Sequence, residues 1–378
     1  MLRSYIMKNG KPLRCGYTTG ACAAAAAGAA TQMLLTGTIP ATWALDTPKG
    51  VRLALDILEA RAGEGFARCA VQKDSGDDPD VTNGVLVYAT AKKTDVGIVI
   101  DGGEGVGHVT KPGLDQPVGA AAINSMPRRM IREQVEAACA ACRYSGGVEI
   151  AISIPGGEEL ARRTFNPRLG IEGGLSVIGT TGIVEPMSTE AVVETIRLEL
   201  GVLAASGAKG VVLCPGAYGE SFAREALGLA AAKPVCVSNF IGEGIDLAAS
   251  AGFGRILLVG HIGKLVKLGI GMMNTHSACG DGRMETLAAC ALESGGEAPL
   301  LRQILACATT DAALDLLDGA GLLDDSMAAL RARVQSALER RAPAGIRIGF
   351  VCFTNAGPRP GILFRSDNAQ ELMDSFAK

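Results

Sequence analysis

The sequence is poor in aromatic residues, in histidine and in net charge. Aromatics make up 4% of it, with one Trp, which argues against recognition of bases or sugars by stacking. The formal net charge of -3 is too small to favour nucleic acid, and no polybasic run follows a phosphate backbone. GxxxxGK[ST] is absent, and no proper GxGxxG follows a strand, so an NTPase or a simple dehydrogenase fits poorly. The three histidines are His108, His261 and His276; without HExxH their spacing is not that of a zinc protease. CxxC occurs once, at Cys139-Ala-Ala-Cys142. A four-cysteine zinc site needs a second pair, and no metal-ligand set is assigned.

What is abundant is glycine, alanine and small apolar residues. The 378 residues exceed what one core usually serves, so two domains are expected, and 48% hydrophobic residues suffice for a buried interior. Fifty glycines imply many tight loops that let backbone approach a ligand. Eleven scattered cysteines read as small buried hydrophobes in a reducing compartment. Residues 16–45 carry no charge and superficially resemble a signal peptide or membrane span. Gly16, Gly20 and Gly28 interrupt the run, and alanine contributes little transfer energy. The reading is a closely packed buried helix in a cytoplasmic protein.

Two rhythms divide the chain. Residues 1–145 are expected to form an α+β domain. The segment GYTTGACAAAAAGAATQMLL predicts a loop, a cap at Thr18 or Thr19 and a helix to about Leu35. Strands are predicted at Val51–Ile57, Ala67–Gln72, Val85–Lys92 and Gly97–Ile100, and a helix over Arg128–Arg143. Residues 146–378 are expected to form an α/β, Rossmann-like domain. Apolar runs at VEIAISIP, LSVIGT, GVVLCPG, PVCVSNF, RILLVGH and IRIGFVCF alternate with helical patterns. That implies a mostly parallel sheet covered by helices on both faces.

Several of these runs end in glycine-rich loops: GTTG (179–182), PGAYGE (215–220), NFIGEG (239–244) and GHIGK (260–264). Ligands of open α/β sheets bind beyond the carboxyl ends of the strands, so a nucleotide-like ligand is the natural occupant. Thr180, Thr181, Gly182, Gly216 and Gly242 are the candidate contacts. A second cluster lies in GHIGKLVKLGIGMMNTHSACGDGR, where His261, Lys264, His276 and Asp281 are candidates for catalysis, with Lys267 as a helper and Asn274 as a substrate contact. A loop-pinning network is the rival reading. Thr18, Thr19 and Gly20 stand at a predicted helix N-terminus, which suits a carboxylate or merely a cap. KDSGDDPDVTNG, with Lys73 and Asp74 as the candidates, is a ligand loop or a structural turn. Arg128 and Arg168 are candidate carboxylate forks or solvated surface.

Five motifs together, LRCGYTTGACAAAAAGAA, VQKDSGDDPDVTNG, DGGEGVGHVTKPGLDQPVGAAAINSMPRRMI, SIPGGEELARRTFNPRLGIEGGLSVIGTTGIVEPMS and GHIGKLVKLGIGMMNTHS, resemble the CbiD family over roughly residues 13–285. The family comprises cobalt-precorrin-5B (C-1)-methyltransferases of the anaerobic cobalamin pathway. The resemblance implies methyl transfer from S-adenosylmethionine to ring carbon 1, giving cobalt-precorrin-6A, with cobalt arriving only as part of the substrate. Two positions depart from the family pattern: Cys15, where a threonine is expected, and Cys279-Gly280 ahead of Asp281. Such a displacement needs alignment of two reactants more than acid–base machinery, which agrees with the scarcity of histidine.

Two other readings stay open. One is a tetrapyrrole lyase or isomerase using His261 and Asp281 for proton transfer. The other is a corrinoid-binding escort protein. The partner in each case is a small cobalt tetrapyrrole, with neither nucleic acid nor membrane involved. A homo-oligomer or transient contact with neighbouring pathway enzymes is compatible with all three.

Overall fold

The uncharged alanine-rich stretch is a helix, Thr19–Thr36, whose residues from Thr19 to Thr31 are all buried. In the computed structural model, which describes residues 4–8, 10–95 and 97–376, this helix lies across the strands Phe66–Gln72 and Leu86–Thr94 and against the helix Ser125–Ala141. Alanine permits that closeness: Cys69 Sγ donates to the Ala26 carbonyl at 3.2 Å. A Cβ on Gly28 would sit 2.5 Å from the Trp43 ring. Small side chains give up transfer energy and gain tight packing. Among the described residues no helix is long and apolar enough to cross a membrane.

The chain divides into two compact units, Met1–Thr189 and Glu190–Lys378. The first holds a five-stranded sheet in the order Leu58–Gly63, Phe66–Gln72, Leu86–Thr94, Gly147–Ser153, Ile98–Gly102. All neighbours are antiparallel except the last pair. Its helix-facing side chains include Ala67, Cys69, Val87, Ala89, Ile150 and Ile152.

The second unit has the parallel sheet. Its order is Val235–Cys236, Gly210–Cys214, Arg255–His261, Arg347–Thr354, Gly361–Arg365, with only the last strand antiparallel. Alternate residues face opposite ways. Val211, Leu213, Ile256, Leu258, Ile348 and Phe350 meet Ile196, Leu200, Ile241, Ile245 and the long helix Leu323–Arg341. Val212, Cys214, Leu257, Val259, Val351 and Phe353 meet Ala223, Leu372 and Met373. Both faces are covered, which is why these strands read as unbroken apolar runs.

Three expectations are corrected. The division falls at Thr189/Glu190, well beyond residue 145. VEIAISIP is a strand of the first sheet, paired with Leu86–Thr94 and Ile98–Gly102, because an apolar run states that a strand is buried but not beside which partner. LSVIGT forms no strand; Leu175 and Val177 make only isolated bridges to Val106 and Ile123.

Candidate functional site

In chain order, the parallel strands of the second unit lie 2-1-3-4. The reversal falls between Gly210–Cys214 and Arg255–His261, and the diverging connections mark the place at the carboxyl ends, called the crevice below, where open α/β sheets bind ligands. Two of the glycine-rich loops border it, PGAYGE after the first strand and GHIGK after the second.

There Gly216 takes φ 91° and precedes the helix Ala217–Glu225. A Cβ on Gly216 would meet Lys264 Nζ at 3.2 Å. Lys264 is half-buried and donates to the Ser238 carbonyl at 3.0 Å. Ser238 has φ 51°, a left-handed conformation that a non-glycine residue adopts at a cost. Burial pulls the Lys264 pKa down, and neighbouring Lys267 adds to this. An ammonium has three donors, so this partly desolvated cation is suited to a ligand carboxylate.

His261 ends the central strand. Its Nδ1 accepts the Gly263 backbone N–H at 3.1 Å, so the neutral ring carries its proton on Nε2. Burial lowers its pKa, against the opposing charge of Asp311. In this tautomer His261 offers a hydrogen-bond donor to its surroundings. Its ring packs edge-on to Phe353, with centroids 5.5 Å apart, and lies 6.3 Å from the exposed ring of Tyr218.

The second half of the motif is built differently. Lys267 is buried and donates to the carbonyls of Thr275 at 3.1 Å and Gly280 at 2.9 Å, pinning the loop that carries Asn274 and His276. Asn274 Oδ1 accepts from His276 N, and His276 Nδ1 from Ala278 N, both at 3.0 Å. Asp281 does not hold His276: its carboxylate forks to Arg283 at 2.5 and 2.8 Å, and that bond keeps its pKa low. His276 and Asp281 are both exposed. The rival reading, a loop-pinning network, describes these residues.

GTTG is corrected as well. It belongs to the first unit and leaves no parallel strand. Thr18 N donates to the Gly182 carbonyl at 3.1 Å and Gly20 N to Ile178 at 3.0 Å. Thr19 Oγ1 bonds both the carbonyl and the N–H of Ile178. Thr18 caps the alanine-rich helix through Ala21 N at 3.2 Å. GYTTG and GTTG therefore close on each other, and Thr18, Thr19 and Gly20 spend their hydrogen bonds inside the chain. Gly182 is buried, whereas Thr180 and Thr181 are exposed, with Thr181 Oγ1 bonded to the Ile183 carbonyl.

The other candidates are similarly engaged. Buried Lys73 donates to Ser75 and Asp80 at 2.6 and 2.5 Å. Asp74 holds Arg14 in a fork of 2.5 and 2.8 Å, and this bond lowers its pKa. These bonds hold the acidic stretch in a turn. Arg128 donates to the carbonyls of Ile123, Ile100 and Ala121. Arg168 is exposed on the short helix Asn166–Leu169, and Lys111 donates to its carbonyl. Gly242 is buried; a Cβ there would meet Met273 at 2.8 Å, so its role is close packing. Among the described residues no three His, Cys, Asp or Glu are grouped to hold a metal ion.

The sequence reading passed over Tyr218 and Ser238, although both lie in segments it singled out. PGAYGE was notable for its glycines, and a serine's positive φ has no sequence signal.

Comparison with known proteins agrees with the motif reading. The CbiD family model matches residues 6–186 and the CbiD C-terminal domain model residues 274–365. A cobalt-precorrin-5B C(1)-methyltransferase of Ruminiclostridium cellulolyticum is 42% identical over 100% of this chain and 99% of that protein. A protein of the same name from Thermoanaerobacter sp. is 48% identical over 84% of this chain and 86% of its own length. A crystal structure of a cobalamin biosynthesis protein (cbiD) from Archaeoglobus fulgidus matches at TM-score 0.40 and 30% identity, covering 77% of this chain and 88% of that one. Five motifs in order, matches to both halves and 42% identity along the whole length make this chain a member of the CbiD family.

Proposed function

We propose that the protein is a cobalt-precorrin-5B C(1)-methyltransferase of the cytoplasm, with S-adenosylmethionine as methyl donor and the carboxyl edge of the second unit's sheet as the donor's seat. The observation that carries the reaction is the 42% identity to a relative of that name over 100% of this chain. The donor's seat rests on the crevice at the strand-order reversal, where Gly216 leaves a space that a Cβ would fill.

The residues of this crevice fit such a ligand. Lys264 supplies a partly buried cation for a carboxylate, and His261 supplies a fixed N–H donor from a neutral ring. The S-adenosylmethionine sulfonium makes its methyl group electrophilic. The protein's own part is alignment: the ring carbon and the methyl must lie about 3–3.5 Å apart and in line. His261 and Lys264 orient, since neither needs to move a proton for the displacement itself. The cobalt tetrapyrrole carries acetate and propionate groups, for which Lys264 is the matching charge.

The test is mass spectrometry of the corrinoid after incubation with and without S-adenosylmethionine. A product heavier by one methylene unit, formed only with the donor, is expected. A donor-independent change of the corrinoid would indicate a lyase or isomerase, and tight binding without any product would indicate an escort.

A further inference from the structure

Aromatic side chains are scarce in this protein, with one Trp, five Tyr and nine Phe, so their placement is informative. One connected group stands at the crevice. Phe222 stacks on Phe353 with centroids 3.9 Å apart and planes 4° from parallel. Phe353 meets His261 edge-on, and His261 meets Tyr218 with centroids 6.3 Å apart and planes inclined at 44°. The two inner members, Phe353 and Phe222, are packed into the molecule. Tyr218 is 72% exposed, although it is one helical turn before Phe222 on the same helix, Ala217–Glu225.

An exposed aromatic ring beside a half-buried imidazole at the carboxyl end of a parallel sheet offers its face to a flat partner. We propose that Tyr218 and His261 together seat the adenine ring of the methyl donor, Tyr218 against its face and the His261 Nε2–H to a nitrogen on its edge. This rests on the methyltransferase reading and adds the residues that select an adenosyl group.

Two observations favour adenine over the tetrapyrrole. The rings are inclined at 44°, an angled seat that grips a small ring by face and edge, whereas a macrocycle needs a broad level platform. His261 is held neutral by the Gly263 N–H on its Nδ1. A neutral N–H matches the uncharged acceptor nitrogens of adenine. A macrocycle bordered by carboxylates calls for cations instead. The low aromatic content spoke against stacking as a general mode of recognition, but one well-placed ring is enough.

The test is calorimetric titration of the full chain with S-adenosylhomocysteine and with adenosine, beside absorbance titration with the cobalt corrinoid. Tyr218→Ala is expected to weaken both adenosyl ligands about tenfold, the scale of a lost base–aromatic stack. Tyr218→Phe is expected to retain wild-type affinity, because it keeps the face and removes only the hydroxyl. His261→Asn, which keeps the turn and removes the Nε2 donor, is expected to weaken adenosine binding as well. Corrinoid affinity is expected to be unchanged in Tyr218→Ala. The proposal is overturned if Tyr218→Ala binds S-adenosylhomocysteine as the wild type does, or if it loses corrinoid affinity alone. A wild-type chain that neither binds S-adenosylhomocysteine nor transfers a methyl group overturns the functional reading itself. A chain that methylates normally while Tyr218→Ala keeps full donor affinity overturns only the adenine seat.

Discussion

His261 Nδ1 accepts the backbone N–H of Gly263 at 3.1 Å, so one side chain both closes the turn after the central strand and keeps an N–H donor on Nε2. The two tasks separate by substitution. Asn places an acceptor oxygen near the position of Nδ1 but has nothing in place of Nε2. His261→Asn is therefore expected to keep the wild-type melting temperature and lose donor-dependent turnover. His261→Ala is expected to lose turnover and also about 0.5–2 kcal/mol of stability, the range for a removed cap. Melting curves beside methyl-transfer rates decide; equal stability in the two variants would remove the capping role.

The burial of His261 sets a pH dependence. Burial lowers the His261 pKa from 6.5. Below that value the unfolded chain takes up a proton that the folded chain refuses, so stability decreases as pH decreases. The contribution is complete above the unfolded value and is lost as pH falls through the folded one. The wild type should therefore lose melting temperature relative to His261→Asn as pH falls below about 6.5. Parallel curves for the two proteins across that window would contradict it.

Lys264 Nζ reaches the Ser238 carbonyl from a half-buried position. Lys264→Met keeps the length of the stem and removes the charge. A lost charge-assisted hydrogen bond is worth about 1.5–3 kcal/mol, which raises the KM for a carboxylate-bearing ligand about tenfold or more. The melting temperature should move little, because only one backbone acceptor loses its partner. Steady-state kinetics that match the wild type would make Lys264 a structural residue.

Thr18 and Thr19 are predicted to act on stability rather than on ligand binding. Thr18→Ala removes a buried cap on Ala21 N, and about 1 kcal/mol is expected to go with it. Thr19→Val leaves the Ile178 N–H and carbonyl without their side-chain partner, at a cost of about 1–3 kcal/mol. Corrinoid affinity of the folded fraction should match the wild type in both. A selective loss of affinity with unchanged denaturation midpoints would return these threonines to the binding site.

Lys73 is buried and salt-bridged to Asp80 at 2.5 Å. Lys73→Met leaves the Asp80 carboxylate with its Thr82 hydrogen bonds but without its cation. Removing one partner of a buried pair costs about 3–5 kcal/mol; Asp80 is partly exposed, so the lower end is expected. Urea denaturation measures it. The double variant with Asp80→Asn should recover part of the loss, and a non-recovering double variant would show that packing, not charge, is what Lys73 provides.

The elements were more legible in the sequence than their partners. Helix Thr19–Thr36 follows the span predicted to about Leu35, and strands Gly210–Cys214 and Arg255–His261 follow apolar runs that only a doubly covered sheet explains. Gly147–Ser153 shows the limit. Its run VEIAISIP reads the same whether it joins a parallel or a mixed sheet, and pairing with Leu86–Thr94 depends on residues more than fifty positions earlier.

The site shows the same division. Family motifs in order, the glycine loops and the crowding of His261 and Lys264 after a buried strand are local patterns, and local patterns are what a sequence displays. It thereby determined the family, the alternation of strand and helix in the second unit, and the search region for the site. Which polar side chains remain available to a ligand was decided only by tertiary structure. Arg128, Asp74 and Thr19 carry suitable chemistry and are satisfied by partners distant in the chain, while Lys73 and Thr18 are satisfied within their own turn and helix cap. Tyr218 stays exposed, and Lys264 commits a donor to Ser238 at the crevice. The physical reason is that a buried polar group must find a hydrogen bond somewhere. Whether that partner is the protein's own backbone or a ligand depends on distances across the fold, which spacing along the chain does not contain.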